Sequence, residues 1–130
     1  MYLLDTSVLI SMFKGQHGVQ QRIAAEGLSA CYVSELVLAE LSVGAYKSGR
    51  QSEREHIRFV RHHFPVLPVD EPVLDRYAQL RASMEMSGFR IDSLDLLLAA
   101  TALAHELTLI TGNTRHFLRI PDLELENWMA

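Results

Sequence analysis

Short apolar runs alternate with longer stretches of helical periodicity along this chain. Tyr2-Leu3-Leu4 ends at Asp5, and residues 30–33 end at Ser34. Further runs occupy residues 66–69, 109–111 and, more weakly, 123–125. Each has the length of a short strand. Pro65 and Pro68 remove ladder donors around the third run, which predicts a strand at a sheet edge. Between the runs the apolar spacing becomes helical. Ser34 is placed to cap a helix carrying Leu36, Leu38, Ala39, Leu41 and Val43, with Gly44 near its end. Over residues 51–63, Ile57 and Val60 mark one apolar face that continues to Phe64. Val73, Tyr77, Leu80 and Met84 recur at helical spacing over residues 71–86, and Gly88 supplies a stop. Over residues 94–105, LDLLLAATALAH is apolar nearly all round, which predicts a helix buried in the middle of the domain.

Strands separated by helices predict an α/β protein: a short, mostly parallel sheet of four to five strands flanked by helices. On such sheets ligands bind outside the carboxyl ends of the strands, near a switch in strand order. Asp5 and Thr111 both fall at predicted carboxyl ends. No repeat, low-complexity tract or linker interrupts the pattern, so residues 1–130 are expected to form one domain.

Three acids stand at the margins of apolar elements. Asp5 follows three apolar residues and precedes Thr6-Ser7 and a second apolar run. A carboxylate at the end of a buried strand costs free energy unless something pairs with it, although capping the next helix would also explain it. Glu40 sits among apolar neighbours in VLAELSVG. Glu35, its competitor, lies in a first helical turn, where the helix dipole accounts for an acid. Asp95 heads the run 96–104, and Asp92 lies three residues earlier on the same side of the first turn. Asp92 or Ser93 can cap that helix, which leaves Asp95 available. If the elements pack as predicted, the three carboxylates converge. Clustered carboxylates repel and hold protons unless a hard cation joins them. Magnesium suits such oxygens, keeps several waters and commonly sits with phosphates. The chemistry that follows is metal-assisted attack of water on a phosphodiester.

Those residues also carry a family resemblance. LLDTSVLI, with Asp5, resembles the opening strand of PIN-domain nucleases. SELVLAELSVGA, with Glu40, resembles their second motif, and IDSLDLLLAATALAHELTLITGNTRHFLRI, with Asp95, their third and the segment after it. Order, spacing and the closing LELENW are similar to VapC-type toxins over essentially the whole chain. The resemblance implies a three-layer PIN fold in which Asp5, Glu40 and Asp95 hold Mg2+, with Mn2+ as a substitute. It implies endoribonuclease activity on folded RNA such as tRNA or ribosomal RNA, and a homodimer. It also implies a cognate VapB-like antitoxin that blocks the pocket, often with a basic side chain. Ser7 and Thr111 look like groups that hold carboxylates or water in place. Many relatives have a small residue and an Asn just before the third acid, where this chain has Asp92 and Leu94. Many also carry acids where this chain has Asn113 and His116. An amide orients a metal-bound water but adds no charge, so a second metal position would depend on Asp92 as a compensating acid, where an N-cap role is the alternative.

Arg50, Arg54, Arg58 and Arg61 form a stripe that offers RNA contacts, with Glu53 and Glu55 beside it; Arg115 and Arg119 follow the site segment more closely. His17, His62, His63 and His105 are not spaced as ligands and read as surface or packing residues.

Composition adds limits. The chain has 130 residues and nearly half are hydrophobic, enough for a core. The net charge is −4, whereas proteins that grip nucleic acid non-specifically are usually basic. Nucleic-acid binding therefore requires the acids to be gathered in the metal site and the bases around it. Cys31, the only cysteine, reads as a buried strand residue, and a reducing cytoplasm is the natural compartment. No apolar run reaches membrane-spanning length, and the N-terminal stretch lacks the features of a signal peptide. A dehalogenase-type phosphatase would need Asp at position 7, which is Ser. A receiver domain would need a late Lys, and the only lysines are Lys14 and Lys47. A housekeeping RNA-processing nuclease and a non-catalytic PIN module remain the other readings, the latter kept open by the neutral Asn113.

Overall fold

The structure is a computed structural model and describes residues 1–129. Its five strands are β1 (Tyr2–Leu4), β2 (Cys31–Ser34), β3 (Val66–Leu67), β4 (Thr108–Ile110) and β5 (Leu125–Glu126). They form one sheet in the order β3-β2-β1-β4-β5, with every neighbouring pair parallel. The sequence predicted a mostly parallel sheet; it is wholly parallel, and β3 is the proline-flanked edge. Helices α1 (Thr6–Phe13), α2 (Val19–Glu26), α3 (Glu35–Ser48), α4 (Gln51–His63), α5 (Glu71–Met86) and α6 (Ser93–Ala104) flank it, giving the expected three-layer α/β arrangement.

The core lies where strand and helix faces meet. Leu3, Leu4, Leu109 and Ile110 are fully buried in adjacent strands. Each such side chain contributes about 1.5–3 kcal/mol relative to exposure. α6 is buried as its all-round apolar pattern predicts: Leu96, Leu98, Ala99, Ala100, Thr101 and Ala102 are all inaccessible. Thr101 meets that environment by donating its hydroxyl to the Leu97 carbonyl, 2.8 Å away. Cys31 is buried in β2, and burial pushes its thiol up to about 11, so it packs as an inert small apolar group.

Two details depart from the periodicity. α3 does not end near Gly44 but runs one turn further to Ser48, because Ala45 packs into the interior and Gly49 supplies the left-handed terminating residue at φ +69°. α2 was not predicted. Only Val19 and Ile23 are buried on it, a stripe too narrow to stand out from its polar residues. No helix among the described residues is long and apolar enough to cross a membrane.

This topology fixes where a site can form. From central β1 the chain goes to β2 on one side, and β4 joins on the other. β1 and β4 therefore flank the switch in strand order, with Leu4 level with Ile110. The Asp5 N–H continues the ladder by donating to the Ile110 carbonyl at 2.9 Å. Asp5 and Thr111 thus leave the sheet side by side at the crevice.

Candidate metal centre

Asp5 is only 7% exposed, yet both its carboxylate oxygens are partnered. Oδ1 accepts from the Thr6 N–H at 2.7 Å and caps α1, while Oδ2 accepts from the Thr111 hydroxyl at 2.7 Å. An ionised carboxylate has about four acceptor positions, so capacity for a cation remains. Thr111 is fully buried, and its Oγ1 in turn accepts from the Asn113 N–H at 3.0 Å. Asn113 therefore enters the site through its backbone. Ser7 Oγ accepts from the Gly112 N–H at 3.3 Å, tying the first turn of α1 to the loop after β4. Thr111 thus contacts a carboxylate, the kind of contact expected of it, whereas Ser7 holds backbone and no carboxylate.

Glu40 projects from the second turn of α3 toward the same crevice. Its Oε1 accepts from the Thr6 hydroxyl at 2.9 Å. Burial raises its carboxyl above the usual range; the Thr6 bond opposes this, and the charges of Asp5, Asp95 and Asp92 add to the rise. Glu35 lies apart: its Oε1 accepts from the Val69 N–H at 2.7 Å and pins the start of α3 to the chain beyond β3.

Asp95 lies in the first turn of α6. Asp92 is the cap, its Oδ2 accepting from the N–H groups of Leu94 and Asp95 at 3.1 and 3.4 Å, so the Asp95 carboxylate takes no part in capping. Burial and then the Asp5 charge raise the Asp95 carboxyl, while His116 opposes the rise. The His116 ring nitrogen Nδ1 is 3.3 Å from Asp95 Oδ2. The start of α6 is held from behind by Arg81 of α5, which donates to the Ile91 carbonyl at 3.1 Å and the Ser93 hydroxyl at 3.3 Å.

The three acids are thus brought into one electrostatic neighbourhood from β1, α3 and α6. Sequence reasoning missed Thr6, which bridges the Asp5 and Glu40 carboxylates by donating its backbone N–H to the first and its hydroxyl to the second, and the contact of His116 with Asp95. A hydroxyl directly after a strand-end acid was the available clue for Thr6; the His116 contact had none. Among the arginines, Arg50 shares a cleft with Thr6 and Glu40. Arg54 and Arg58 instead flank Tyr46 in a groove between α3 and α4, with the Arg54 guanidinium 5.3 Å from the Tyr46 ring centre. Arg115 is exposed on the short 3₁₀ turn Thr114–Phe117 that carries His116.

The donors suit a hard divalent ion, since all three are carboxylates whose mutual repulsion a cation would relieve. Among the described residues, no three acidic, His or Cys side chains are already gathered tightly enough to ligate one ion. Repelling carboxylates are expected to stand apart without a cation, and magnesium takes one or two carboxylates directly with waters completing its shell.

A stability test follows from the raised carboxyls. Between the usual carboxylate range and the raised values, the folded chain holds more protons than the unfolded one. Stability of the metal-free protein therefore falls as pH rises through that window and stays lowered above it. Glu40→Gln or Asp95→Asn removes this cost. Thermal unfolding in EDTA at neutral pH should show either variant melting slightly above the parent, with the difference shrinking in acid. Variants that melt no higher than the parent would contradict the electrostatic reading.

Comparison with known proteins now decides the family. The PIN domain model matches residues 2–123. The chain belongs to the PIN-domain family. It is 30% identical over 132 residues to Ribonuclease VapC2 of Rickettsia felis, covering 98% of this chain and 97% of that one. To Toxin FitB of Neisseria gonorrhoeae it is 34% identical, covering 90% and 91% of the two chains. The solved structure of VapBC2 from Rickettsia felis bound to a promoter DNA fragment contains a chain that superposes with a TM-score of 0.87 at 29% identity, covering 98% of each. The PIN-domain resemblance seen in the motifs around Asp5, Glu40 and Asp95 therefore extends over the whole fold.

Proposed function

We propose that this PIN-domain protein is the ribonuclease toxin of a VapBC-type toxin–antitoxin pair, an endoribonuclease that hydrolyses phosphodiester bonds in folded RNA such as tRNA or ribosomal RNA. What supports this reading is Asp5 at the β1/β4 crevice, with Glu40 linked to it through Thr6 and the Asp95 carboxyl raised in part by its charge. Full-length similarity to a ribonuclease and a toxin of this family supports it. The whole chain acts as one domain, in the cytoplasm, as a homodimer.

Asp5, Glu40 and Asp95 would hold Mg2+, or Mn2+ in its place. The ion supplies a lowered pKa for the attacking water and a positive charge beside the phosphate. The protein's own groups do the positioning. Thr111 fixes the Asp5 carboxylate with one oxygen turned to α1, and Thr6 fixes Glu40 relative to it. Ser7 and Asn113 hold the loop after β4, and the Asp92 cap sets the start of α6 and hence Asp95. One carboxylate accepts the proton of the attacking water; the new P–O bond forms as the bond to the leaving ribose oxygen breaks, and that oxygen takes up a proton. Arg50, which lines the cleft beside Glu40, and Arg115, on the turn that carries His116, are cations that would meet the RNA backbone.

The cognate partner is a VapB-like antitoxin. An apolar groove among α1, α2 and α4 suits a protein segment: it is lined by Met12, Ile23, Leu28 and Phe59, and no Lys or Arg borders it. Leu28 and Phe59 remain about two-fifths exposed there. The test is expression in bacteria with sequencing of RNA ends. Growth should stop, new ends should appear in a few folded RNAs, and co-expression of the antitoxin should reverse both. RNA cleavage without growth arrest would favour a housekeeping nuclease, and no cleavage with either metal would remove the enzyme reading.

A further inference from the structure

A second cleft reaches one of the three acids, Glu40. It lies among α1, α3 and α4, has a volume of about 470 Å³ and is walled at one end by Thr6 and Glu40. That size lies within the range of small-molecule sites. Any occupant is a neighbour of whatever reacts at the metal centre. Its floor is apolar, formed by Ile10, Phe13 and Leu41. The Phe13 and His56 rings stack face to face, with centres 3.9 Å apart and planes within 8°. This pair borders both the cleft and the apolar groove described above, and so forms the ridge between them.

The two sides of the ridge differ in charge. The apolar groove has no bordering cation, whereas the cleft carries Lys14 from the end of α1 and Arg50 from the start of α4. It also presents the Ser52 hydroxyl and the Glu53 carboxylate. A stacked ring pair, apolar side chains, hydrogen-bonding groups and two cations in one lining match a nucleotide unit of single-stranded RNA. A base has apolar faces and polar edges, and its phosphates seek cations. A peptide segment would gain less from the cations.

We propose that this cleft seats the nucleobase next to the cleaved phosphate, its face continuing the Phe13–His56 stack and its backbone held between Lys14 and Arg50. The cleft thereby sets which base is preferred beside the cut. This inference rests on the nuclease reading but can fail independently of it.

The test uses the full-length protein with Ca2+ in place of Mg2+, so that binding is read without cutting. The probes are a fluorescein-labelled single-stranded RNA oligonucleotide and a set of versions each lacking one base. For the parent protein, one missing base should weaken binding about tenfold. His56→Ala should weaken binding of the intact RNA by a similar factor, yet bind the RNA lacking that base no worse than the parent does. Ser52→Trp, an exposed change that fills the cleft without touching the core, should do the same. Lys14→Ala with Arg50→Ala should weaken binding to every oligonucleotide and flatten its salt dependence. Additive losses, or His56→Ala and Ser52→Trp that weaken antitoxin binding alone, would overturn the proposal. Absence of cleavage by the parent with Mg2+ or Mn2+ would instead count against the nuclease reading, leaving these binding results to be judged on their own.

Discussion

Asp5→Asn should lower RNA cleavage about a thousandfold, the several kcal/mol a bound cation contributes to such a reaction, while leaving the fold intact. The Asn side chain keeps an oxygen able to accept from the Thr6 N–H or the Thr111 hydroxyl, so the cap of α1 and the β1/β4 crevice survive. What is lost is the negative charge nearest the switch in strand order. Glu40 and Asp95 then feel less repulsion, since Asp5 raises the carboxyls of both. The folded protein should therefore bind Mn2+ more weakly and melt no lower than the parent in EDTA. Single-turnover cleavage of a folded RNA, read with melting curves, separates the two effects. Retention of more than about a tenth of the parent rate would remove Asp5 from the centre of the mechanism.

Thr111→Val should harm both stability and activity. Valine fills the same volume, so no cavity opens. It removes the donor to Asp5 Oδ2 and the acceptor for the Asn113 N–H, both at a fully buried position. Leaving the buried Asp5 oxygen unpaired costs about 1–3 kcal/mol, while the Asn113 N–H, on an exposed residue, can turn to water at little cost. The bare carboxylate is also free to turn, and loss of a group that orients a metal ligand typically costs about 10–100-fold in metal affinity or activity. Denaturant unfolding should place the midpoint clearly below the parent, and Mn2+ titration should show the weaker affinity. Thr111→Ser, which restores the hydroxyl, should recover most of the activity but less of the stability, because a methyl group is still missing. If valine behaves like threonine in both measurements, the Asp5–Thr111 bond is not what organises the site.

How much of this was legible beforehand depends on how far each feature is decided locally. Asp5 was readable because three apolar residues lead straight into a charge, and the strand end that this implies is where the structure has it. Asp92 was readable as a cap because capping is settled within three residues, and it left Asp95 over as the unexplained acid. Glu35 was only half legible: the helix dipole accounts for an acid there, but its bond to the Val69 N–H depends on how the chain returns after β3. α2 escaped because two buried residues make no periodicity. The contact between His116 and Asp95 spans 21 positions and arises from the 3₁₀ turn after β4 folding toward the start of α6, which no local pattern encodes. The arginine stripe had the right helical spacing, but which members face the acids depends on how α4 lies against α3. That packing sends Arg50 to the cleft and Arg54 and Arg58 to Tyr46.

The central claim is that one divalent ion is shared by carboxylates from the end of β1, α3 and α6. Crystals of the protein soaked in Mn2+, with anomalous scattering recorded at the manganese edge, address this directly. The expected result is a strong peak at the carboxyl ends of β1 and β4, with Asp5 and at least one of Glu40 and Asp95 as direct ligands and the remaining acid reaching it through water. A peak elsewhere on the molecule, or none at millimolar Mn2+ with the crevice open to solvent, would contradict it.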